Sequence, residues 1–234
     1  MGKSLTDQMD LLRRRIINLQ EVASLQSVAD LLQAGVEARA IVDCFSRSLM
    51  EIGRMYQEGK YYMTGLVLAG EIMRQAMDVL MPHLAKNKSE EKKGLVIIGT
   101  IEGDIHELGK NMAGYFLKTD GFEVIDLGVD VAPRVFLKEI LQREPDAVGV
   151  SLLLTRCMEP LKRLVNLLNE TYHEGQAPPL FVGCGFLTPP PGSEAMFQLS
   201  EQERQWLGVK HVVTDAYDTL RLCQELTRHK RASL

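Results

Sequence analysis

Near residue 90 the hydrophobic period of this chain changes from that of packed helices to that of strands alternating with helices, so it must build two cores of different kind. In the first 85 residues, Ile41, Phe45, Leu49, Ile52 and Tyr56 fall on one stripe and Leu66, Met73, Met77, Leu80 and Met81 on another. Spacings of three and four are those of helices that bury one face. No proline precedes Pro82; Ser4 with Asp7 is a start signal, Gly35 and Gly59 are stops, and the polar patch at 18–24 can break the first stretch. Three or four bundled helices are expected there. Residues 86–93 are charged or polar throughout, the character of an exposed linker, and the boundary is drawn between 1–88 and 89–234.

Beyond it, short apolar runs at 95–98, 123–127, 147–153, 180–182 and 209–213 alternate with amphipathic stretches at 108–118, 133–142, 158–172 and 215–228. That alternation predicts a parallel sheet with crossover helices. The expected fold is therefore α plus α/β, a helical bundle followed by a flavodoxin-like, five-stranded parallel sheet. Ligands of such sheets bind beyond the carboxyl ends of the strands, near the switch point, which directs attention to the ends of the first, third and fourth strands.

Composition removes several classes. Of 234 residues, 45% are hydrophobic and 25% charged, which disfavours a disordered or collagen-like chain. Lys and Arg number 27 against 31 Asp and Glu, so no basic footprint for nucleic acid is present. Apolar runs are too short to span a membrane, and residues 1–15 lack the form of a secretory signal. Cys44, Cys157, Cys184 and Cys223 are widely spaced, which argues against a zinc site or a disulfide framework. A cytoplasmic chain with free thiols is expected.

The first strand leads into Gly99-Thr-Ile-Glu-Gly-Asp-Ile-His-Glu-Leu-Gly-Lys-Asn111. A phosphate-binding loop needs four residues between its glycines and a hydroxyl after the lysine. Here five residues separate Gly103 from Gly109, and Asn111 follows Lys110. The dinucleotide fingerprint is also missing. What remains is Asp104-Ile105-His106 at a ligand-binding edge. A neutral imidazole is a metal ligand, and a carboxylate on its other nitrogen fixes the tautomer and raises its basicity. Asp104 as a helix cap with a solvated His106 is the alternative.

Residues 110–150 number 41; Ser151-Leu-Leu153 then closes the third strand, and after a gap of 29 residues, 154–182, comes Gly183-Cys-Gly185. This order resembles the signature of cobalamin-binding domains: Asp-x-His-x-x-Gly, a gap of 41, Ser-x-Leu, then a glycine pair. Leu127-Gly-Val-Asp-Val-Ala-Pro133 and Leu152-Leu-Leu-Thr155 also resemble that family. In the helical half, Met50-Glu-Ile-Gly-Arg-Met-Tyr-Gln-Glu-Gly-Lys-Tyr-Tyr-Met63 and Leu80-Met-Pro-His-Leu84 are similar to the cap domain of methionine synthase and of small corrinoid proteins in methyltransferase systems.

The resemblance implies cobalamin bound with its benzimidazole tail off cobalt and buried in the α/β domain, His106 as lower axial ligand and Asp104 as its partner. It implies that Ser151, Leu153, Gly183 and Gly185 line the tail channel, that Gly109 lets the following helix approach the tail, that Cys184 either narrows the channel or shifts the register to Gly185, that Ile105 belongs to the cofactor-binding set, that Thr155 lies near the corrin, and that Tyr62, Met63 and Leu66 cover its upper face. Where relatives carry a serine or threonine that bonds the aspartate, this chain has Cys157, a weaker donor; Arg156 is expected to alter the charge around Asp104. Cys184 replaces the second glycine of the pair, and 188–207, with Pro189-Pro-Pro191 and Trp206, is an elaboration of no assigned role.

The implied function is a methyl carrier. A substrate-specific methyltransferase would load it and an acceptor methyltransferase unload it, with tetrahydrofolate the expected acceptor and a reductive activating protein a further partner. A cobalamin-dependent sensor would want an output domain, and a small subunit of an adenosylcobalamin mutase would dock on a barrel rather than carry a cap. A receiver domain would want an aspartate where Ser151 stands.

Overall fold

A computed structural model describes residues 4–84, 92–173, 175–184 and 199–232. The chain divides into two compact units. The first holds four helices: α1 (Leu5–Ile17), α2 (Glu21–Gln33), α3 (Ala38–Gln57) and α4 (Met63–Leu84). Ser4 caps α1 through a reciprocal pair with Asp7, as its spacing predicts, and the turns after α2 and α3 pass through Gly35 and Gly59 at φ +81° and +72°. The break after α1 is shorter than the polar patch: α2 already contains Ser24, which is buried.

Ile41, Phe45 and Ile52 are fully buried, as are Met73 and Leu80 of the second stripe. Tyr56 is not; it is 36% exposed, and Leu49 is half-buried. At 3.6 residues per turn, positions 49 and 56 lie about 60–80° around the helix from Ile41, whereas 45 and 52 lie within about 40°. The stripe is therefore narrower than the spacing alone suggests.

The second unit holds β1 (Gly94–Thr100), α5 (Leu108–Thr119), β2 (Phe122–Asp126), α6 (Pro133–Arg143), β3 (Ala147–Leu152), α7 (Met158–Thr171), β4 (Leu180–Cys184), α8 (Glu201–Leu207), β5 (His211–Val213) and α9 (Ala216–Ala232). All strand pairs are parallel, in the order β2-β1-β3-β4-β5, the flavodoxin-like arrangement. Both faces are covered. Ile97, Val148, Val150 and Val182 pack under Phe136 and Ile140 of α6 and Leu161, Leu164 and Leu168 of α7. Val96, Ile98, Ala147, Phe181 and Val213 face Leu117 of α5 and Cys223 of α9. Two glycines admit aromatic rings onto the sheet: a Cβ on Gly99 would lie 2.7 Å from Phe136 Cζ, and one on Gly149 2.5 Å from Phe181 Cζ.

Two expectations need correcting. Within 188–207, read as an elaboration, Glu201–Leu207 is a helix with Ser200 and Glu203 forming a capping box, and its Leu207 joins the core; residues 188–198 lie outside the described residues. The last strand is also shorter than 209–213, because Val209 is still held by Arg204 O at the end of α8. Among the described residues, no helix is long and apolar enough to cross a membrane, and Cys44, Cys157 and Cys223 are free thiols.

Candidate functional site

Switch-point geometry puts the ends of β1 and β3 side by side, with Thr100 opposite Ser151 in the ladder and Ser151 in turn opposite Gly183 of β4. The chain leaves β1 through Ile101, whose N–H donates to Ser151 O, and turns at Gly103, φ +86°. Only a residue tolerant of positive φ makes that turn cheaply. The turn delivers Asp104, 0% exposed, beneath His106, whose side chain is 51% exposed.

Asp104 is held by three N–H groups. Oδ1 accepts from His106 N at 3.0 Å and from the His106 ring Nδ1 at 2.6 Å; Oδ2 accepts from Leu153 N at 2.7 Å. Burial pushes the Asp104 carboxyl up, but the bonds from the His106 ring and the two main-chain N–H groups outweigh it and hold the group below the ordinary aspartate value. A charged carboxylate thus keeps the proton of a neutral imidazole on Nδ1 and leaves the Nε2 lone pair for a ligand. The His106 carbonyl is held separately, accepting from the buried Thr100 hydroxyl at 2.9 Å.

Leu153 owes its role to where β3 ends. The strand stops at Leu152, one residue earlier than the apolar run, and so Leu153 N–H is free of the ladder and turns to Asp104. Residues 155–157 follow as a single 3-10 turn with Thr155 exposed and Cys157 buried. The Cys157 sulfur sits 3.3 Å from where a Cβ on Gly103 would be. Its thiol is pushed up, by burial first and then by the Asp104 charge, and it makes no hydrogen bond to Asp104. Arg156, expected from sequence to alter the charge around Asp104, reaches the Gly103 carbonyl at 3.4 Å and acts on Cys157.

Of the other predicted residues, Ile105 is exposed beside His106, Gly109 is buried in the first turn of α5, and Ser151 and Gly183 are half-buried at adjacent strand ends. Among the described residues a Cβ on Gly183 would touch only Val213 Cγ2, at 3.8 Å, unlike at Gly149. Cys184 ends β4, and Gly185 lies outside the described residues. Tyr62 and Met63 stand at the start of α4 in the first unit, 84% and 58% exposed.

Sequence reasoning missed three side chains. Thr100 is one. Lys110 is another: its Nζ is buried against Asp126 Oδ2 at 2.5 Å and Asn111 Oδ1 at 2.7 Å, while Asp126 Oδ1 accepts from Gly128 N. Asp130 is the third; it accepts from Gly103 N at 2.7 Å. A carboxylate in each of the strand-end words Asp126-Leu-Gly128 and Val129-Asp-Val131 was a visible signal, but its partner is 16 to 27 positions away.

The donor set suits a corrinoid. Among the described residues, no three His, Cys, Asp or Glu groups are placed to hold a bare metal ion. One imidazole with an oriented, accessible Nε2 is the kind of donor that a cobalt already ringed by corrin nitrogens would need.

Comparison with known proteins agrees. A family model described as B12 binding domain matches residues 94–189, and a second of the same description matches 9–81. Trimethylamine corrinoid protein 2 of Methanosarcina mazei is 34% identical over 148 residues, 62% of this chain and 68% of the relative. A corrinoid protein of Desulfitobacterium hafniense is 33% identical over 169 residues, 69% of this chain and 76% of the relative. The monomethylamine corrinoid protein of Methanosarcina barkeri superposes with a TM-score of 0.80 at 26% identity, covering 95% of this chain and 100% of that one. With its strand-end histidine, its flavodoxin-like sheet and these matches across both units, the chain belongs to the corrinoid proteins, which bind cobalamin through a B12 binding domain.

Proposed function

We propose that the protein carries a methyl group on cobalamin bound base-off, with His106 as the lower axial ligand. The observation that carries this reading is the His106–Asp104 pair, an accessible imidazole whose Nδ1 is fixed at 2.6 Å by a fully buried carboxylate. When bound, the corrinoid supplies the cobalt that accepts and releases the methyl group. The chain supplies orientation. Asp104 keeps the ring in one tautomer, Leu153 N–H keeps Asp104 charged and immobile, and Thr100 fixes the His106 main chain. A ligand held this way can bind and leave cobalt without its own anchor moving.

Gly109, Ser151, Leu153, Gly183, Cys184 and Gly185 are assigned to the tail channel, Ile105 and Thr155 to the corrin edge. Tyr62 and Met63, apolar and exposed, are assigned to its upper face, with 1–88 as cap domain and 89–234 as cobalamin-binding domain. Because relatives are named for trimethylamine, dimethylamine and monomethylamine, a methylated amine is the donor class to assay first. Loading falls to a substrate-specific methyltransferase and unloading to an acceptor methyltransferase, with tetrahydrofolate the acceptor and a reductive activating protein restoring oxidised cobalt. The test is the absorption spectrum of the chain after mixing with hydroxocobalamin and desalting, compared with His106→Ala. Retained corrinoid whose spectrum changes in the variant is expected; an unchanged spectrum removes His106 from cobalt, and no retained corrinoid from folded protein removes the carrier reading.

A further inference from the structure

The loop after β2 is tied to the histidine loop beyond what strand pairing requires. An Ile101–Val131 bridge prolongs the β1–β2 ladder past both strands, with Thr100 N donating to Gly128 O, Val131 N to Thr100 O and Glu102 N to Val131 O. Inside this extension stands Asp130, one of three non-glycine residues at positive φ among the described residues, at +54°. An L-residue avoids that conformation unless something holds it there. Two hydrogen bonds depend on it. Asp130 Oδ1 accepts from Gly103 N at 2.7 Å, and Asp130 N donates to Asp104 O at 3.0 Å. A single residue 26 positions downstream therefore grips the main chain on both sides of the Gly103–Asp104 peptide.

We propose that Asp130 is a positioning residue for the cobalt ligand: it fixes the main chain of Gly103 and Asp104, and through the Asp104 carboxylate it fixes the direction of the His106 ring. This rests on His106 being the axial ligand. Gly103, at φ +86°, is the joint at which the loop can swing, and the Asp130 carboxylate is what closes it. Without that acceptor the loop samples conformers in which Nε2 is misdirected, and apparent ligand affinity falls by the fraction lost. One net hydrogen bond to a charged acceptor corresponds to about a tenfold change.

The test uses the full chain loaded with hydroxocobalamin, in wild type, Asp130→Asn, Asp130→Ala, Asp130→Gly and His106→Ala. Asn keeps an oxygen acceptor and tolerates positive φ. Gly removes the acceptor while relieving the backbone, so it reports even if the Ala variant does not fold. Expected is retained corrinoid in all Asp130 variants, with a wild-type spectrum for Asp130→Asn and an about tenfold lower ratio of histidine-ligated to unligated corrinoid for Asp130→Gly and Asp130→Ala. A wild-type ratio in Asp130→Gly overturns the proposal, as does Asp130→Asn falling with it. If His106→Ala shifts the spectrum while Asp130→Gly does not, this inference alone fails; if His106→Ala shifts nothing, the axial role fails and takes this one with it.

Discussion

Asp104→Asn replaces a buried carboxylate by a group of the same shape with only one acceptor oxygen. In the wild type, Oδ1 serves both His106 donors and Oδ2 serves Leu153 N–H. The amide can keep its oxygen toward His106, which saves two bonds, but its NH2 then faces the Leu153 amide, donor against donor, in a site with 0% exposure. Stranding a buried donor costs about 1–3 kcal/mol, which corresponds to a roughly 5- to 150-fold faster exchange of the Leu153 amide if that opening is local. Hydrogen exchange at Leu153 in cofactor-free protein reads this directly, and a melting temperature lower by several degrees should accompany it, at about 2–4 °C per kcal/mol for a chain of this size. The folded pKa of Asp104 is depressed. Its ionisation therefore stabilises the fold fully above the ordinary aspartate value, and that contribution is lost as pH falls through the depressed folded value. The gap between wild type and Asp104→Asn should accordingly narrow under acid. Unchanged exchange at Leu153 and an unchanged melting temperature would refute the claim that the main chain at the end of β3 anchors the carboxylate.

Gly149→Ala and Gly183→Ala should part company. The first drives a Cβ to 2.5 Å from Phe181 Cζ and should cost about 1–3 kcal/mol of stability by overpacking, measured by urea denaturation. The second meets, among the described residues, only Val213 at 3.8 Å and should melt as wild type while retaining less corrinoid after desalting; normal retention would move the tail away from β4. Cys157→Ala should leave the spectrum and the pH profile of methyl transfer unchanged, because the thiol makes no bond to Asp104; a shifted profile would return position 157 to a proton relay. Cys223, fully buried with its thiol pushed up to about 12, should resist alkylation at pH 8.5 until the chain is unfolded, and rapid labelling of native protein would contradict the packing of α9 on the sheet.

Much of this was legible in sequence, because hydrophobic period is a local property. The stripes through Ile41 and Phe45 and the apolar runs at 95–98 and 147–153 announced helices and buried strands, and Asp104-Ile105-His106 stood out by its place after the first run. What escaped depends on partners far apart in the chain. Nothing near Lys110 says that its ammonium is buried on Asp126, and nothing near Asp130 says that it turns to Gly103. Helix α8 is different: its Ser200-x-x-Glu203 signal was present in the sequence, but the prolines before it drew attention to loop chemistry. The early end of β3 at Leu152 was also invisible, since Leu153 and Leu154 continue the apolar run while the first of them spends its amide on Asp104.

That amide belongs to the main chain, and this has an evolutionary consequence. A side-chain donor can be lost by any of many single-base changes, whereas the N–H at position 153 survives every substitution except proline. With both Asp104 oxygens already occupied by donors from Leu153 and His106, a cysteine at the neighbouring position 157 leaves the carboxylate held, and any substitution at 153 other than proline would leave it held as well.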